Sequence, residues 1–150
     1  MPMKILVPLD LSDSETSTKV LNAAVDQADH ASADMVFMTV VPNMVTGIDY
    51  RYAIRGEMGG SQDYDLKAIV QNALDHLNQF VSEHIKKGRD VETIARHGTV
   101  YEQILDVADD IGADQIVIGA HRPQLADYLL GPNTARVVRH AKCSVNVVRL

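Results

Sequence analysis

A single cysteine, Cys143, leaves the chain unable to close an intrachain disulfide, which removes the stapled secreted scaffolds and suits a reducing cytoplasm. Two readings of the thiol are open: a reactive group, or a small apolar residue packed near a helix end. No apolar run approaches the roughly 18–20 residues of a membrane span. The opening Met1-Pro-Met-Lys-Ile-Leu-Val has neither the basic region nor the extended apolar stretch of an export signal. A soluble, cytoplasmic protein without membrane contact is expected. Positive charge is also scarce, with 14 Lys and Arg against 20 Asp and Glu and a formal net charge of −6. Nucleic-acid binders usually carry a basic stripe, so a nucleic-acid partner is not expected; a small anion is compatible if hydrogen-bond donors are concentrated locally.

Several motifs are missing as well. There is no G-x-x-x-x-G-K-[ST], which argues against a P-loop NTPase, and no G-x-G-x-x-G after a strand, which argues against a dinucleotide fold. The six histidines show no H-x-x-x-H spacing, so no metal site is expected and solvated or cap-lining histidines are the simpler reading. No internal repeat or low-complexity tract stands out.

What is present fits one domain. The chain has 150 residues, 46% hydrophobic and 23% charged, a globular balance at a common domain size. Met3 to Leu9 reads as a strand buried on both faces, with Pro8 at its end. Ser12-Asp-Ser-Glu15 fits a capping box, and Val20, Leu21, Ala24, Val25 and Ala28 give the following helix its apolar face. Met35 to Val41 is a second strand, ended by Pro42. From Asn43 to Asp63 glycines and tyrosines occur without periodicity, and this long loop reads either as a surface excursion or as a lid over a ligand.

From Leu66 apolar residues recur at steps of three and four as far as Ile85, predicting an amphipathic helix that ends near Lys86-Lys-Gly88. Val91 to Ala95 is a modest strand suited to a sheet edge. Thr99 to Glu102 offers a second capping box, before a helix buried through Ile104, Leu105, Ala108 and Ile111 and closed by Gly112. Gln115 to Gly119 is the fourth strand. A helix from about Asn133 to Ala141 then leads to a last strand, Ser144 to Val148. Strands separated by helices cannot pair as hairpins, so a doubly wound α/β domain with five parallel strands and four helices follows.

Ligands of such sheets lie beyond the C-terminal strand ends, where strand order reverses. The most loaded segment there is Ile116-Val-Ile-Gly-Ala-His-Arg-Pro, followed by Leu129-Leu-Gly-Pro-Asn-Thr: a strand ends in one glycine, and another opens a helix whose free N–H groups can receive an anion. Asp10, just past the first strand, reads either as a ribose or metal contact or as the start of a turn.

These segments resemble the universal stress protein family. Lys4-Ile-Leu-Val-Pro-Leu-Asp10-x-Ser12, Thr39-Val-Val-Pro42, Gly98, the glycine loop and Cys143-Ser-Val-Asn-Val-Val148 carry the resemblance along the whole chain. His121-Arg-Pro123, Tyr128-Leu-Leu-Gly131 and Val137-Val-Arg-His140 are similar to the F/G-type bacterial members. The resemblance implies a Rossmann-like sheet, related to the adenine-nucleotide α-hydrolases, with strand order 3-2-1-4-5. It also implies bound ATP, with magnesium or manganese where a metal accompanies it. Adenine is then expected near Pro8, Asp10 and Val41 and ribose near Asp10 and Gly119, with Leu9, Ser12, Val40 and Gly98 as further cofactor-binding candidates. The phosphates are expected along His121, Arg122, Gly131, Pro132, Asn133 and Thr134. A homodimer through Ser144 to Val148 is implied too, and an exposed edge strand is compatible with it.

The chain departs from the family's ATP pattern in three places. Gly-x-x-Gly is here Gly119-Ala-His-Arg122, eight residues rather than nine separate Arg122 from Gly131, and Pro132 replaces a Ser or Thr. Proline suits the first helical position but deletes a donor from the cradle; Arg122 either adds charge to a phosphate or fills space that a glycine leaves. Three functions therefore compete: an ATP-binding stress-response or regulatory dimer with slow or no hydrolysis, a nucleotide-free scaffold acting through protein contacts, and a weak ATPase. Asp127 and His121 are acid and base candidates for the last, although nothing in the sequence brings them together, so no catalytic residue is assigned.

Overall fold

A computed structural model describes residues 2–43, 62–120 and 131–149. The elements follow the order β1 (Lys4–Pro8), α1 (Ser14–Ala31), β2 (Asp34–Pro42), α2 (Gln62–His84), β3 (Val91–Gly98), α3 (Val100–Ile111), β4 (Gln115–Gly119), α4 (Pro132–His140) and β5 (Ser144–Val148). All strand pairs are parallel, in the order β3-β2-β1-β4-β5. The doubly wound α/β fold and its strand order are thus as expected. The 43–63 loop falls almost wholly outside the described residues.

Period-two alternation divides the core. Ile5, Val7, Met35 and Phe37 face α1 and α2, meeting Val20, Leu21, Ala24, Leu77, Phe80 and Val81. Leu6, Val36, Met38, Ile116 and Ile118 point the other way, onto Ile104, Val107 and Val137 of α3 and α4. Because β1 has an apolar layer on both sides, its side chains from Ile5 to Val7 are fully buried, which is why the segment reads as a continuous apolar run instead of an alternating one. The half-buried β3 and β5 form the two edges.

Local chemistry differs from expectation at several points. The N-cap of α1 is Asp13 rather than Ser12: its carboxylate accepts from the Thr16 amide at 3.1 Å and from the Thr16 hydroxyl at 2.7 Å. Ser12 cannot cap because its own hydroxyl donates to Asp10 Oδ1 at 2.6 Å. Thr99 does occupy the N-cap of α3, but without a side-chain capping bond; its hydroxyl instead accepts from Asn43 Nδ2 at 3.4 Å. Helix α2 begins at Gln62, four residues before the first apolar position used to place it, because a polar first turn carries no periodic signal. Strand β3 runs three residues past Ala95, since β2 offers partners to its end, where Val41 faces His97 and Pro42 faces Gly98. In α3, Val107 is buried, while Leu105 and Ile111 are only partly so.

Candidate functional site

The cleft is built where β1 and β4 lie side by side but send their chains to opposite faces of the sheet. After β1 the chain leads into α1; after β4 it leads towards α4 on the other face, so the loops diverge and leave a hollow. That hollow has a volume of about 770 Å³, within the usual range of about 300–1,000 Å³ for small-molecule sites. Its walls come from both halves of the sequence. Pro8, Leu9, Asp10 and Ser12 line it from the first loop, Val40 and Val41 from the end of β2, and Gly119, Gly131, Pro132, Asn133 and Thr134 from the far side. Eleven of the fourteen residues singled out in the sequence therefore meet around one cavity. Gly98 is not among its lining residues, and His121 and Arg122 lie outside the described residues, as does Asp127.

Backbone and hydroxyl groups fix this wall before any ligand enters. Leu9 donates its amide to Met38 O at 2.8 Å and accepts from the buried Thr39 hydroxyl at 3.1 Å, tying the exit of β1 to β2. The Ser17 hydroxyl donates to Asp10 O at 2.6 Å, anchoring the loop to α1. Thr134 does the same opposite, donating to Gly119 O at 2.9 Å and locking the first turn of α4 onto the end of β4. Each bond satisfies a group that would be costly to leave unpaired when buried.

Of the two roles weighed for Asp10 from sequence, the structure shows the turn. Asp10 Oδ1 accepts from the Ser12 amide at 3.0 Å and from the Ser12 hydroxyl, the geometry of an Asx turn. Its Oδ2 takes no hydrogen bond among the described residues, and the side chain borders the cleft, so one oxygen shapes the loop while the other can face a hydroxyl or cation. At the far wall Gly131 is the N-cap of α4 with φ 88° and ψ 157° and no side-chain capping bond, a conformation essentially reserved for glycine. Pro132 takes the first helical position. The amides of Asn133 and Thr134 follow it at the positive end of the helix dipole, with the half-buried Asn133 side chain beside them.

Sequence reading missed the apolar floor and one whole wall. Met38, Ile104 and Ile118 line the cavity from the α3/α4 face, and α2 contributes Ala73 and His76. The floor residues are also core, so their apolar character alone does not mark them as cavity lining, and the α2 pair has no signal because it depends on how that helix lies beside β2.

The remaining chemistry lies elsewhere. Among the described residues no group of three His, Cys, Asp or Glu side chains is placed to hold a metal ion, and no helix is long and apolar enough to cross a membrane. Cys143 is half-buried just past α4, in a hollow of about 150 Å³ bordered by Leu105, Ala108 and Asp109. Burial pushes its thiol up, helped by Asp109 and Asp114, against an opposing backbone hydrogen bond.

Known proteins share this fold. The family model described as "Universal stress protein family" matches residues 1–149. Universal stress protein G of Escherichia coli O157:H7 is 28% identical over 148 residues, 97% of each chain. Among solved structures, universal stress protein UspA from Lactobacillus plantarum matches with a TM-score of 0.67 at 25% identity, over 98% of this chain and 97% of that one. A universal stress protein in complex with cAMP matches with a TM-score of 0.58 at 22% identity, over 99% and 97% of the two chains.

Proposed function

The chain belongs to the universal stress protein family, and from that premise we propose that it binds an adenine nucleotide, ATP in the first instance, as a regulatory protein with slow or no hydrolysis. The observation that carries the proposal is one cavity holding both the uncapped start of α4 and the free oxygen of Asp10. An anion is favoured at the first by the first-turn amides and the helix dipole, and a sugar hydroxyl at the second. Pro8, Leu9, Val40 and Val41 offer the apolar slot for the base, Asp10, Ser12 and Gly119 the sugar contacts, and Gly131, Asn133 and Thr134, with His121 and Arg122, the phosphate contacts. A solved protein of the same fold carries cAMP, which supports an adenine ligand. Magnesium or manganese would enter on the phosphate oxygens, with Asp10 as the protein carboxylate at hand.

The same reading includes a homodimer formed through β5, an edge strand paired only with β4 in the described sheet, and residence in the cytoplasm, where a lone thiol stays reduced. Pro132 supports a second reading, a scaffold that has lost its nucleotide, since it removes one donor from the cradle.

Chromatography of small molecules released by denaturing the purified protein separates the two. An adenine nucleotide at near one per chain is the expected result. A preparation free of nucleotide that also gives no heat on titration with ATP transfers the conclusion to the scaffold. Steady-state phosphate release with added magnesium reports whether hydrolysis accompanies binding.

A further inference from the structure

Helix α2 reaches the cleft through two side chains one turn apart, Ala73 and His76. It packs on β2 and β3, so it closes the cavity from the side where Val40, Val41 and Pro42 end β2, the far side from the amides of α4. In the nucleotide reading, on which this inference rests, that is the base end. The polar groups around it are largely committed: Thr39 to Leu9 O, Ser17 to Asp10 O, and Thr16 to Asp13. His76 differs. His30 and His84 bond to carbonyls of their own helices, whereas the exposed His76 ring has no hydrogen-bond partner among the described residues and borders the cavity.

We propose that His76 is a specificity-determining residue of the nucleotide cleft, its imidazole accepting a hydrogen bond from the exocyclic amine of a bound adenine. A neutral imidazole has one acceptor nitrogen. Adenine presents an amine donor where guanine and hypoxanthine present a carbonyl oxygen, so the same ring that accepts from adenine faces an acceptor in the other purines. The apolar slot alone cannot make that distinction, because purines share their shape and stacking surface. Alanine at position 73 leaves room beside the ring.

Calorimetric titration of the full-length protein with ATP and with inosine triphosphate, which has a carbonyl oxygen in place of the amine, tests the assignment. The wild-type chain is expected to prefer ATP by about two- to tenfold, the worth of one hydrogen bond. H76A is expected to lose that preference by weakening ATP while leaving inosine triphosphate unchanged. H76Q, which retains an acceptor oxygen, is expected to keep part of it. His76 is exposed, so thermal melts of both variants should match the wild type. A wild-type chain that binds both nucleotides equally, or an H76A chain that keeps the preference or weakens both alike, overturns the role of His76 and leaves nucleotide binding standing. Failure of the wild-type chain to bind either nucleotide instead removes the nucleotide reading itself, and this inference with it.

Discussion

Gly131 and Gly98 place different demands on the backbone. Gly131 sits at φ 88°, ψ 157° at the mouth of the cleft. Gly98, at φ 145°, ends β3 beside the Gln103 side chain, whose Nε2 would lie 2.8 Å from an added Cβ. Gly98 thus meets a steric demand at the edge of the sheet, whereas Gly131 borders the cleft. Gly131→Ala forces a side chain into a region that L residues rarely adopt, and a loss of about 1–3 kcal/mol is expected. Urea denaturation measures that loss, and titration of the same variant should show weaker ATP binding than wild type. Unchanged stability would mean that the N-cap conformation is not strained for alanine.

At the scale of elements, the two sequence-predicted capping boxes separate cleanly. Both N-termini were placed within a residue, yet only α1 has a side-chain cap, supplied by Asp13. Asp13→Ala is expected to cost about 1 kcal/mol, read as a lowered urea midpoint, while Thr99→Ala should change it by clearly less. The motif S-x-x-E identifies where a helix can start; which neighbour caps it depends on competing bonds, here the Ser12 hydroxyl drawn to Asp10. Strands β1, β4 and β5 were legible almost to the residue, because a strand sealed on both faces must be apolar throughout and a strand bounded by glycine or a helix end has few alternative limits. Strand β3 was read short, since Arg96 and His97 carry no apolar signal and join the sheet because β2 provides a ladder for them.

At the scale of the whole molecule, the parallel sheet leaves β5 with one side unpaired among the described residues. Exposed edges attract further strands, and an antiparallel pairing of two β5 strands about a two-fold axis is self-complementary. Sedimentation of the wild-type chain should therefore give a dimer. Asn146→Lys, on the face of β5 opposite the Val145 and Val147 contacts with the α3/α4 core, places like charges near each other across the axis and should shift the mass towards monomer. A wild-type monomer at every concentration would show that this edge is not the contact proposed.

The sequence by itself determined the alternation of strands and helices, the two-sided burial of β1 and the glycine-opened start of α4, because periodicity, capping and turn chemistry act over a few neighbouring residues. It also carried most of the cleft, since Asp10 and the Gly131–Thr134 segment follow strand ends that any doubly wound sheet brings together. Only the tertiary structure decided that Ala73 and His76 join that cleft, that Met38, Ile104 and Ile118 form its floor, and that Gly98 stands apart. The first depends on how α2 lies across the sheet, set by Leu77, Phe80 and Val81 packing with Met35 and Phe37 of β2, and the second on how α3 meets Met38 and Ile118 on the other face; neither has a counterpart in local sequence.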